Sequence, residues 1–142
     1  MTHANANWRE LRPPIVFCNT VLISDLKQRG LLDETLVLWH SEFGRMPISQ
    51  RGVGRDHNPG AMTVFITGAG IQGGQQIGSS DVVGYKAEDQ KITNHDLHAT
   101  ILHLLGIDHK RLTYYFNGRN MRLTDVSGEL ITQIVGNTQA KA

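Results

Sequence analysis

Apolar and polar positions along the 142-residue chain predict seven elements in order: helix, strand, long loop, strand, helix, hairpin and helix. Residues 1–12 read as a polar lead-in. Pro13 and Pro14 then suit the first turn of a helix, where a missing N–H costs little. Residues 15–29 carry Val21, Leu22 and Leu26 at helical spacing, and Gly30 is a natural stop. Residues 31–34 turn the chain. The short apolar run at residues 35–39 predicts a strand buried on both faces. A Gly- and Arg-rich loop follows, from His40 to about Gly60. Loops of that length are uncommon in compact domains and are often functional. Residues 62–67 predict a second buried strand, residues 68–74 a flexible turn, and residues 75–92 only short pieces of strand or loop.

Thr93 or Asn94 can cap the next helix, with Asp96 placed in its first turn to favour the helix dipole. Leu97, Ile101 and Leu105 recur every four residues as its core face, and Gly106 ends it. Residues 112–123 read as a hairpin, because two β-prone runs flank Asn117-Gly118, a strong signal for a type I′ turn. Ser127 can cap a last helix over residues 128–135, and the tail to Ala142 is expected to fray. Helices alternating with buried strands point to an α/β sandwich. Two central strands are few for a doubly wound sheet, so part of that sheet is expected to lie outside this chain.

Composition narrows the function classes. Apolar residues make up 39% and charged residues 19% of the chain, an ordinary globular balance. The net charge is +1 and the basic residues are scattered, which argues against a nucleic-acid partner. No apolar run reaches the length of a membrane span. The N-terminus lacks the apolar centre of a signal peptide, so by its own residues the chain reads as cytoplasmic. Cys18, the single cysteine, permits neither an internal disulfide nor a thiolate zinc cluster, and reads as a buried, inert thiol.

Candidate chemistry concentrates in the long loop. The run from His40 to Arg45 directly follows the first strand, and in open α/β sheets functional groups gather at the carboxyl ends of strands. Glu42 offers a carboxylate there, and Arg45 a guanidinium fork suited to phosphate or sulfate. Both residues also fit solvated loop charges paired with each other. Late in the same loop, His57 is a candidate metal ligand. Asp56 would then orient its second ring nitrogen or ligate in its own right. A plain turn before Pro59 explains these residues equally simply. If Glu42 and His57 meet, a carboxylate with an imidazole suits Zn²⁺ or a similar divalent ion. His95 and His98 lie three apart and share a helix face. They could form half a metal site, although Asp96 fits a helix start better. His103 and His109 are expected to face solvent or a helix end.

Five ordered blocks carry a resemblance: DLKQRGLLDETLVLWHSEFGRMP, GRDHNPGAMTVFITGAGIQGG, IGSSDVVGYKAED, NHDLHATILHLLGID and RLTYYFNGRNMRLTDVSGE. Together they resemble a large uncharacterised bacterial family of sulfatase-like proteins, a domain of unknown function within the alkaline phosphatase superfamily. The resemblance implies that residues 1–142 form a single partial domain, the C-terminal part of an alkaline-phosphatase-like α/β/α sandwich ending in a β-hairpin and helix. Full members of the family look about three times longer and often carry an export signal. Met1 stands where the family pattern resembles an aspartate, with Thr2 and His3 matching, which implies a truncated reading frame or a start codon assigned inside a longer gene. The nucleophile is then expected upstream.

Superfamily enzymes hold divalent metal ions that polarise a phosphate or sulfate ester. By that resemblance His3, Glu42 and His57 are metal ligands, with Zn or Ca the implied ions, and Arg45 contacts the anion. Phe43 stands where classical members often carry His or Asn, so a second ligand is missing there. The block around Asp96 resembles a segment that is largely a structural helix, leaving His95 and His98 as weak candidates. The implied function is a fragment of a metal-dependent phosphate- or sulfate-ester hydrolase that is inactive alone. The alternative is a non-catalytic scaffold or the remnant of a decayed gene. A small-molecule ester is the expected substrate of the parent protein. Unpaired strands 35–39 and 62–67 are expected to promote self-association.

Overall fold

The computed structural model describes residues 14–135, with Pro14–Asn19 described by backbone alone. The sequence-based expectations for His3, Pro13 and the C-terminal tail lie outside these residues, as does the side chain of Cys18. Helix α1 runs Pro14–Gln28. Its end is a Schellman closure, in which Gly30 N–H reaches Lys27 O and Leu31 N–H reaches Leu26 O, with Gly30 at φ +70°. A 3-10 turn over Leu32–Glu34 then feeds strand β1, Leu36–Trp39.

The long loop is not structureless. It folds into a short ladder of β2, Gly44–Arg45, and β3, His57–Asn58. The antiparallel register is Gly44↔Asn58 and Arg45↔His57. Two further bonds, Met46 N–H to Asp56 O and Asp56 N–H to Ile48 O, extend the pairing toward the loop tip. Strand β4, Phe65–Gly68, pairs antiparallel with β1, from Leu36↔Gly68 to Trp39↔Phe65. Strand β5, Ser79–Ser80, pairs with β6, Ala87–Asp89.

Helix α2 spans Asn94–Leu104, capped by Thr93. Strands β7, Thr113–Phe116, and β8, Arg119–Arg122, form a hairpin with Phe116 opposite Arg119. Asn117 and Gly118 both take positive φ, +47° and +81°, as a type I′ turn requires. Helix α3, Thr132–Val135, closes the described chain. Among the described residues the fold is therefore mixed α/β, with few helices and four two-stranded antiparallel sheets. No helix among the described residues is long and apolar enough to cross a membrane.

Five expectations need correction. The first strand is not covered on both faces: Leu36, Val37 and Leu38 are half-buried and Trp39 is 44% exposed. Among the described residues β1 has one partner, β4, so neighbours that would cover it are lacking. The second strand starts at Phe65 because four-residue β1 offers residues 62–64 nothing to pair with. Leu105 is 61% exposed, because it is the C-cap of α2 and has left the helical stripe.

The last helix begins only at Thr132. The preceding segment crosses α2 as irregular backbone, where Glu129 N–H donates to Asp96 Oδ1 and Ile131 N–H to Thr100 Oγ1. Backbone donors that a helix would have used internally are thus satisfied by α2 side chains. Buried Gly128 lets this crossing come close: a Cβ there would meet Ala99 Cβ, His95 O and Thr124 Cβ, each at 3.2 Å.

This crossing organises the buried apolar cluster. Leu97 and Ala99 of α2 join Ile131, Ile134 and Val135. Asp96 sits at the hub of the polar layer beside them. Its carboxylate accepts from Thr93 N–H, the Thr93 hydroxyl and Glu129 N–H, and the Thr93 hydroxyl accepts from Asp96 N–H. This is a capping box with an added long-range bond.

Burial resists the charge on Asp96. The hydrogen bonds from Glu129 and Thr93 prevail, aided by nearby His95, and hold the carboxyl below its ordinary value of 3.8. A depressed folded-state pKa contributes stability that is full above the unfolded value and lost as pH falls through the folded one. Acid unfolding of the chain is therefore expected to steepen below about pH 4. Asp96→Asn should flatten that acid limb, measured as the urea midpoint against pH.

His109 also departs from expectation. It is 6% exposed, and its Nδ1 lies 2.9 Å from Thr124 Oγ1, itself fully buried. The turn after α2 folds the imidazole inward, where a hydroxyl partner offsets the cost of burying it.

Candidate functional site

The β2–β3 ladder gathers the loop's candidate residues. Side chains alternate faces along a strand, so Phe43 and Arg45 project together, and His57 stands directly opposite Arg45. The Phe43 and His57 rings stack with centroids 3.7 Å apart and planes 28° from parallel. The Arg45 guanidinium carbon lies 5.2 Å from the Phe43 ring centroid, within cation–π range. Phe43 thus touches both candidate residues. Arg45 Nη1 also donates to Arg55 O at 3.1 Å, and Arg55 Nε donates to Met46 O at 2.7 Å. Two arginine side chains therefore brace opposite strands of the same loop, while Arg45 and His57 stay exposed.

The opposite face of the ladder is packed. Asn58 is 2% exposed, its Nδ2 donating to Gly84 O and its Oδ1 accepting from Gly60 N–H. The latter is an Asx turn across Pro59. Ala87 N–H donates to Gly60 O, tying the loop to β6. Asp81 supports the same junction by accepting from Tyr85 and Lys86 N–H. Gly44 lies so close to Ala61 that a Cβ would enter its carbonyl.

The other candidates lie as follows. Glu42 is exposed in the bend just before β2. The Asp56 carboxylate accepts from Gln50 N–H at 3.0 Å and so organises the loop tip. His95 and His98 are exposed on the first half of α2.

Among the described residues, no group of three or more His, Cys, Asp and Glu is arranged to hold a metal ion. Of the three ligands implied above, the described residues hold two, Glu42 and His57, fewer protein ligands than a catalytic zinc site uses. His3, the third implied ligand, lies outside the described residues. Among the described residues the donor set for a metal is therefore incomplete. What this surface can do by itself is present a guanidinium and an imidazole side by side, a pairing suited to an anionic group.

Sequence reasoning located the loop but missed Phe43 as the residue touching both Arg45 and His57. The available signal was the i, i+2 spacing of Phe43 and Arg45 next to a glycine.

A family model described as a protein of unknown function, DUF1501, matches residues 18–135. The match contains Glu42, Phe43, Arg45, His57 and the whole α2–α3 cluster. No curated protein matches the chain, and no solved structure does. Since the matched span covers most of its length, the chain belongs to the DUF1501 family.

Proposed function

We propose that this chain is the C-terminal portion of a metal-dependent phosphate- or sulfate-ester hydrolase of the alkaline phosphatase and sulfatase type. In this reading it is inactive alone, and the nucleophile and the rest of an α/β/α sandwich come from outside the described residues. The observation that supports it best is the β2–β3 ladder. It follows the first strand and holds Arg45 and His57 on one exposed face, with Glu42 at its base. Arg45 would contact the ester's anionic oxygens. Glu42 and His57 would contribute ligands to a divalent ion, Zn or Ca, completed by His3. The open edges of β1 and β4 would pair with strands of the missing sheet. Without those strands they would pair with other copies of this chain.

A second reading has its own observation. The Phe43 ring lies flat on the His57 imidazole, at a position where a metal-binding relative would carry a ligand. This supports a non-catalytic scaffold that keeps the fold without the chemistry.

Metal analysis of the longest product of the reading frame, purified without chelators, separates the two. The hydrolase reading expects stoichiometric divalent metal and release of phosphate or sulfate from a 4-nitrophenyl ester, both lost in His57→Ala. A folded product that is metal-free and inert would leave the scaffold reading standing.

A further inference from the structure

We propose that Asn117, at the tip of the β7–β8 hairpin, is a site of spontaneous modification through a succinimide, yielding aspartate and isoaspartate. The reaction needs a side-chain amide beside an unhindered and unbonded main-chain nitrogen. Asn117 is the chain's one asparagine followed by glycine. It is exposed, and a Cβ added at Gly118 would meet nothing within 4 Å, so the space around the attacking nitrogen is open. Among the described residues Gly118 N–H donates no hydrogen bond, because the ladder closes on Phe116 and Arg119.

The other described asparagines lack this combination. Asn58 is buried, bonded at both ends of its amide, and followed by a proline that has no N–H. Asn19 and Asn94 lie in helices, and Asn120 lies in β8 before methionine.

The step balances without any redox partner. The Gly118 nitrogen loses its proton to solvent base and attacks Asn117 Cγ. The new N–Cγ bond forms as the Cγ–Nδ2 bond breaks, and the amide nitrogen takes up a proton and leaves as ammonia. Water then opens the five-membered ring at either carbonyl. Opening at one gives aspartate. Opening at the other gives isoaspartate, which routes the main chain through an extra methylene.

A two-residue turn with both φ positive has no room for that methylene, since turn type and loop length fix hairpin register. Both products also place a carboxylate next to Arg119. The hairpin is thus an age-dependent element whose modified form no longer pairs Phe116 with Arg119.

The test is a time course on the folded chain at mildly alkaline pH, read by peptide mapping and by enzymatic methyl transfer to isoaspartate. Modification at Asn117 is expected to outpace that at Asn94 and Asn120 severalfold, to accelerate with pH, and to give both products. Gly118→Ala should slow it severalfold. Because alanine is strained at φ +81°, Asn117→Gln serves as a second variant, and should abolish the methyl-accepting signal with Gly118 retained. The proposal is overturned if Asn117 reacts no faster than Asn120, or if aspartate forms without isoaspartate.

Discussion

Gly44→Ala is expected to split the β2–β3 ladder and destabilise the chain by about 3 kcal/mol, the upper range for forcing atoms into a packed site. The new methyl would occupy the carbonyl of Ala61, lying 2.9 Å from its carbon and 3.4 Å from Asn58 O. These are backbone atoms, fixed by the Asn58 turn and by the Ala87–Gly60 bond, so no flexible side chain can swing aside. The strand must move instead, and Arg45 and Phe43 move with it. Two readouts should change together. The urea midpoint should fall, and the ring-current shift that Phe43 imposes on the His57 imidazole protons should vanish. An unchanged midpoint with an unchanged imidazole spectrum would mean that the close approach of Gly44 to Ala61 does not exist in solution.

Thr100→Val should cost about 1–3 kcal/mol although it preserves shape, because it leaves a buried donor without a partner. The Thr100 hydroxyl is fully buried, donates to Asp96 O at 2.8 Å and accepts from Ile131 N–H at 3.0 Å. Valine fills the same volume but accepts nothing, so Ile131 N–H is orphaned next to the Leu97 and Ala99 cluster. Thr100→Ser keeps the hydroxyl and should restore the Ile131 bond, at the smaller cost of one missing methyl. The decisive measurement is hydrogen exchange at the Ile131 amide in the three proteins. Equal protection in wild type and Thr100→Val would sink the argument.

These two sites show which parts of the fold could be read in the chain. Signals that act within one turn were legible: Pro14 at the start of α1, Gly30 and Gly106 at helix ends, Thr93 with Asp96 as a cap, and Asn117-Gly118 between two short strands. Features that depend on a distant partner were not. Nothing near Gly128 announces that residues 129 and 131 give their N–H groups to Asp96 and Thr100 on another element, so the last helix was expected four residues too early. His109 looks like a loop histidine until Thr124 folds over it. The candidate site divides in the same way. Its place, the loop after the first strand, followed from loop length and residue type. The contact of Phe43 with His57 did not, because it requires the register Gly44↔Asn58, set by backbone packing against Ala61 rather than by any local preference.

The four separate ladders also dictate an order of assembly. Chain segments that meet through a short connection lose little entropy on closing, whereas distant ones lose more before any contact rewards them. The β7–β8 hairpin closes across two residues and β5–β6 across a short turn. By contrast, β1 and β4 must bracket the entire β2–β3 loop before they meet. The hairpins and α2 are therefore expected to form early and independently. The β1–β4 pair waits until the intervening loop has folded on itself, making that loop a gate on the folding rate as well as the carrier of Arg45 and His57.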